Sequence, residues 1–141
     1  MSSIRNSPGS ARSNCAVAST LDIVGDKWSL LVIRDLFAGK STYGELLAAD
    51  ERMPTNILAD RLRRLEDAGI IEKSAYQERP VRFAYALTPR GRDMGEILIA
   101  LVRWGRKHIA GTVALEIATR GSGAVAAPKK SVAPAGAKRR V

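Results

Sequence analysis

Apolar residues along the chain recur first at helical spacing and then at strand spacing. Ala16 to Val24 carries a short apolar pattern that ends at Gly25, a residue that stops helices well. Asp26 suits the N-cap of the next segment, in which Trp28, Leu31, Val32, Leu36 and Phe37 return at helical intervals until Gly39. Thr42 and Glu45 have capping-box spacing ahead of a short helix through Leu46 and Leu47. After the interruption from Asp50 to Pro54, a further helix is expected from about Thr55 to Ala68, with Gly69 as its stop. On it Leu58, Leu62 and Leu65 fall within about 60° of one another at 100° per residue.

The period then changes. Ile71 to Tyr76 and Phe83 to Leu87 read as strands around a polar tip, Gln77 to Pro80. Thr88 and Pro89 restart a helix, with threonine as the cap and proline at the first position, where its missing N–H costs nothing. That helix is expected to reach about His108. The predicted class is mainly α with a small β-hairpin: a short helix, a turn, a second helix and a two-stranded ribbon, the outline of a winged helix-turn-helix. Residues 15–110 form the expected domain. A Ser-rich arm (1–14) and an Ala/Pro/Lys-rich basic tail (111–141) have too little to bury and are expected to be disordered.

Composition narrows the function. In 141 residues, 45% are hydrophobic but only 5% aromatic, so the core must be aliphatic. No apolar run approaches the roughly 20 residues of a membrane span, and nothing at the start reads as a secretory signal. One cysteine fits a reducing compartment, and a cytoplasmic protein is expected. The net charge of +9 points to nucleic acid, yet residues 15–110 contribute only +2 of it. One histidine and one cysteine make no metal or nucleophile constellation, and no phosphate loop occurs, so neither enzyme, metal nor cofactor is expected.

The chemistry expected of the Thr55–Ala68 helix is base recognition. In a helix-turn-helix the second helix lies in the major groove. Asn56, Asp60, Arg63 and Arg64 face away from the leucines and with Thr55, at the start of the helix, are the candidates; Asn and Arg can each make paired hydrogen bonds to adenine and guanine. Asp60 can accept from cytosine or orient an arginine one turn on. A solvated amphipathic helix would carry similar charges, so the hairpin matters: Arg79 and Arg82 flank Pro80 at its tip, within reach of phosphates or a minor groove.

Several blocks resemble one family. They are Cys15 followed by Thr20 to Trp28, then Tyr43-Gly44-Glu45-Leu46, then Ile57 to Ile71, and Pro80-Val81-Arg82-Phe83-Ala84-Tyr85-Ala86-Leu87-Thr88-Pro89-Arg90-Gly91. With these the chain resembles the HxlR-type winged-helix transcription regulators, related in architecture to the MarR type. It departs at Met53-Pro54-Thr55-Asn56, where many members open the helix with Ile-Ser, and in its long basic tail. The resemblance implies a DNA-binding homodimer on a two-fold-related operator, joined through its first and last helices. Independently, Met94, Ile97, Leu98, Leu101, Trp104 and Ile109 cover an arc of about 160°, broad for a helix capping a small domain. A second chain would bury the excess, with Leu21 of the first helix. Thr42 and Tyr43 would touch DNA from the first helix of the motif. In some members a cysteine placed like Cys15 senses oxidants or electrophiles, which requires an exposed thiol of lowered pKa. The expected function is therefore sequence-specific regulation of transcription, repression before activation, with an oxidant or small-molecule effector. The alternative is a sequence-tolerant architectural binder that holds double-stranded DNA mainly through its basic tail.

Overall fold

Gly25, the first expected helix stop, is indeed the C-cap of α1 (Ala16–Val24) in a computed structural model that describes residues 13–113. The expected arm (all but its last two residues) and the tail beyond residue 113 lie outside the described residues. Helix α2 (Ser29–Phe37) follows, then α3 (Tyr43–Leu47), α4 (Thr55–Asp67), strands β1 (Ile71–Glu78) and β2 (Val81–Leu87), α5 (Pro89–Arg92) and α6 (Gly95–His108). The chain divides into two compact units, one up to Met94 and one from Gly95 onward.

In the first unit, one apolar stripe from each helix meets the others and the hairpin. Val32, Ile33 and Leu36 of α2, Leu46 of α3, and Leu58, Leu62 and Leu65 of α4 are buried, together with Ile70, Ile71 and Leu87 around the hairpin base. Each such side chain contributes about 1.5–3 kcal/mol by leaving water. Asp26 does act as a cap, though from two residues outside the first helical position of the expected pattern. Its Oδ1 accepts from the Trp28 N–H at 2.8 Å and the Ser29 N–H at 2.9 Å, and its Oδ2 accepts from Ser29 Oγ at 2.6 Å. The Thr42–Glu45 capping box forms in both directions.

The hairpin is antiparallel and longer than its alternating pattern suggested. Pairing runs from Ile71 opposite Leu87 to Glu78 opposite Val81, leaving only Arg79 and Pro80 to turn the chain. Gln77 and Glu78 pair through their backbones, which polar side chains do not prevent. A bulge between Ala75 and Gln77 leaves Tyr76 without a partner opposite it. A third segment joins this sheet: Thr42 bridges Ala84, and the Tyr85 N–H donates to the Ser41 carbonyl at 2.8 Å. The base of the wing is thus tied to the start of α3.

The helix expected from Thr88 to His108 is two helices, interrupted at Asp93 and Met94. The first is pinned at its start. Thr88 Oγ1 donates to the Gly69 carbonyl at 2.6 Å and accepts from the Gly91 N–H at 3.1 Å. A Cβ at Gly91 would stand 2.1 Å from the Ile70 carbonyl oxygen, so only glycine allows this approach.

Candidate nucleic-acid interface

The connection between α3 and α4 fixes how the second helix is presented. Tyr43 Oη donates to the Thr55 carbonyl at 2.9 Å, joining the start of α3 to the start of α4. The intervening turn passes through Arg52 at φ 59°, a left-handed conformation uncommon for a side chain with a Cβ. Its neighbour Glu51 is clamped by Arg34 of α2 through two parallel hydrogen bonds of 2.8 Å. Arg34 also donates to buried Asp35 at 2.9 Å. The guanidinium holds the Glu51 carboxyl down at about 2, and Glu51 in turn raises the pKa of Arg34 against the effect of burial. The turn is therefore held on α2 by a fork-shaped ion pair.

Helix α4 begins at Thr55 with Pro54 in the capping position and no side-chain cap, the consequence of Met53-Pro54-Thr55-Asn56. Its leucines are buried, while Thr55, Asn56, Arg63 and Arg64 are exposed. Asp60 takes the second of its two expected roles. Its Oδ1 lies 2.5 Å from Arg63 Nη2 and its Oδ2 is ion-paired with Arg61 Nη1, with Arg64 Nη1 at 3.8 Å. The carboxylate thus orients arginines on the polar face. Thr42 and Tyr43 are half-buried, and their hydroxyl groups already serve the capping box and the bond to Thr55. Thr42 thus caps α3, and Tyr43 ties α3 to the start of α4. Arg79 and Arg82 are exposed at the end of the wing, as expected.

Arg61 is a site residue that the sequence pattern did not single out. Its Nε lies 3.1 Å from Asp26 Oδ1, in the α1–α2 junction, while its Nη1 meets Asp60. The partner is 35 positions away in sequence, and no local spacing signals it. Burial raises the Asp26 carboxyl, but hydrogen bonds from Ser29 and Trp28 and the positive charge of Arg61 outweigh it and bring it to about 2.

The apolar residues expected at a dimer interface divide into two groups. Met94 and Leu98 are buried. Leu21 on α1 and Leu101, Trp104 and Ile109 in the second unit are exposed, and Ile97 is intermediate. His108 stacks against Trp104 with ring centroids 4.8 Å apart. Cys15 is exposed at the N-cap of α1, where its N–H donates to Ser13 Oγ at 3.1 Å. Among the described residues no cluster of three acidic, histidine or cysteine side chains is arranged for a metal, and no helix is long and apolar enough to cross a membrane.

A short helix, a held turn, a helix with a charged outer face and an antiparallel ribbon with an arginine-bearing tip define a winged helix-turn-helix protein. Residues 23–112 match the family model for HxlR-like helix-turn-helix proteins, and the chain belongs to that family. Its members are DNA-binding regulators of transcription. The chain is 43% identical over 91 residues to the uncharacterized HTH-type transcriptional regulator sll1512 of Synechocystis, covering 64% of this chain and 67% of the relative. It is 34% identical over 94 residues to the uncharacterized HTH-type transcriptional regulator Mb3122 of Mycobacterium bovis, where it spans 67% of this chain but only 59% of the relative's length. Among solved structures, the redox regulator HypR in its oxidized form superposes with a TM-score of 0.61 at 30% identity, covering 67% of this chain and 97% of that one. Cys15 precedes the matched family region.

Proposed function

We propose that this chain is a homodimeric, sequence-specific repressor of transcription. The observation that carries the reading is the outer face of α4, where Thr55, Asn56, Arg63 and Arg64 are exposed and Asp60 orients Arg63. In the dimer two such helices enter successive major grooves about one helical turn, roughly 34 Å, apart. The wing arginines hold the flanking backbone, and the dimer excludes polymerase from the same DNA. Exposed apolar residues support self-association: among the described residues, Leu21 on one helix and Leu101, Trp104 and Ile109 on and after another are exposed. The basic tail adds sequence-independent affinity through phosphates.

The effector we propose is an oxidant or electrophile acting at Cys15. Its exposure supports this, since an oxidant or electrophile can reach the thiol. So does the likeness to the redox regulator HypR. Cys15→Ser should abolish release from DNA by diamide; unchanged release would end this part of the proposal.

A gel-shift assay of the full chain and a 1–120 truncation, on the DNA upstream of its own coding region, tests the main reading. The expected result is a discrete shift that survives excess random duplex in both proteins. A shift lost to competitor, or lost with the tail, would replace it by sequence-tolerant architectural binding.

A further inference from the structure

We infer that Asp26, in the junction between α1 and α2, is a positioning residue for base readout, acting on Arg63 through Arg61 and Asp60. This rests on α4 being the helix that reads DNA. Four side chains form an unbroken series of alternating charge. Asp26 is fixed first, because its two oxygens already accept from the Trp28 and Ser29 N–H groups and from the hydroxyl of buried Ser29. Arg61 bridges from it to Asp60, with Nε 3.1 Å from Asp26 Oδ1 and Nη1 ion-paired with Asp60 Oδ2. Asp60 Oδ1 then meets Arg63 Nη2 at 2.5 Å. From Arg61 outward exposure rises: the Arg61 side chain is 14% exposed, Asp60 33% and Arg63 65%, while Asp26 itself is 24% exposed.

That gradient assigns different work to the members. Arg61 is too enclosed to meet a base edge, and its guanidinium lies between two carboxylates: Nη1 donates to Asp60, while buried Nε faces Asp26 as a charge contact without a directed hydrogen bond. Its planar fork suits a bridge between two acids, which a lysine ammonium could not hold in the same geometry. Arg63 is exposed but not free to wander, because Asp60 holds it, and Asp60 is held from inside the domain. A long arginine costs conformational entropy when it docks; one restrained beforehand loses less. The restraint therefore favours the duplex that matches the held geometry. It does nothing for phosphate contacts, which tolerate many arginine positions.

Asp26 also follows directly on Gly25, the C-cap of α1. The anchor of the series is thus two residues beyond a helix that presents exposed Val17 and Leu21.

The test uses the full chain and a duplex that the wild-type protein selects from a randomised pool, with a random duplex as control. Asp26→Asn keeps an acceptor for the capping N–H groups and removes the charge that faces Arg61. We expect it to lower discrimination between selected and random duplex about five- to tenfold, with random-duplex affinity and its salt slope unchanged. Asp60→Asn, at a partly exposed position, should do the same, and the double variant should lose little more than either alone. If Asp26→Asn is poorly folded, Asp60→Asn and Arg61→Lys carry the test. Retained discrimination in a folded Asp26→Asn or Asp60→Asn variant overturns the inference, as do additive losses in the double variant. Equal weakening on both duplexes overturns it too. If the wild-type chain selects no sequence at all, the reading of α4 fails, and this inference falls with it.

Discussion

Helices α4 and α6 are nearly equal in length and both are amphipathic, yet they present opposite surfaces. On α4 the leucine stripe is used within the chain: Leu58, Leu62 and Leu65 are buried, and what remains outside is mostly polar or charged. On α6 only Gly95 and Leu98 are buried, and Leu101 and Trp104 stand exposed, the tryptophan at 60%. A helix with a satisfied apolar face has its polar face free for recognition. A helix with surplus apolar surface has a use for a partner. The two helices thus divide the proposed function, one meeting DNA and the other a second copy of the chain.

The largest effects should separate the helices by what their leucines do. Leu62→Ala on α4 should cost about 2–5 kcal/mol in urea unfolding, because a cavity forms in the core. Leu101→Asp on α6 should instead convert a dimer to a monomer in analytical ultracentrifugation. A Leu62→Ala variant of unchanged stability, or a Leu101→Asp variant that remains dimeric, would break the comparison.

A smaller effect separates the outer face of α4 from basic charge elsewhere. Removing Arg79 and Arg82 together should weaken binding to every duplex alike, and reduce the slope of log affinity against log salt by about 2. A loss confined to one sequence would give the wing a reading role instead of a gripping one.

The smallest effect concerns the ion pair that holds the turn before α4. The Glu51 carboxyl lies at about 2 in the folded chain, below its ordinary value of 4.5. A depressed carboxyl stabilises the fold at pH values above its unfolded pKa, and that contribution is lost as pH falls toward 2. Glu51→Gln should flatten the dependence of unfolding free energy on pH across this window. The partly exposed carboxylate limits the change to about 1 kcal/mol or less. Parallel curves for wild type and variant would show that the pair does not hold the turn.

What the sequence made legible was mostly local. The Thr42–Glu45 box, the leucine stripe of α4, the Gly25 stop and the alternation of Phe83, Tyr85 and Leu87 each lie within a few residues, where helical or strand periodicity speaks directly. Contacts across the fold were not legible. The bridge between Thr42 and Ala84 is a single backbone pairing with no side-chain pattern. The break before α6 was hidden because apolar spacing continues through it, and the close approach of Gly91 to Ile70 was equally hidden because it joins distant segments. The same holds for the site. Thr55, Asn56, Arg63 and Arg64 were found from one helical wheel, whereas Arg61 owes its place to Asp26. The engaged hydroxyl of Tyr43 was equally beyond reach, since its acceptor is a backbone carbonyl twelve positions on.

The most direct test of the central claim replaces Asn56 and Arg63 by alanine together. Dissociation constants would be measured on the selected duplex and on random DNA at several salt concentrations. The selected duplex should lose at least about tenfold in affinity, as expected for lost base contacts worth about 1–3 kcal/mol each, while random DNA changes little. Equal losses on both, or none on the selected duplex, would mean that the outer face of α4 does not read sequence.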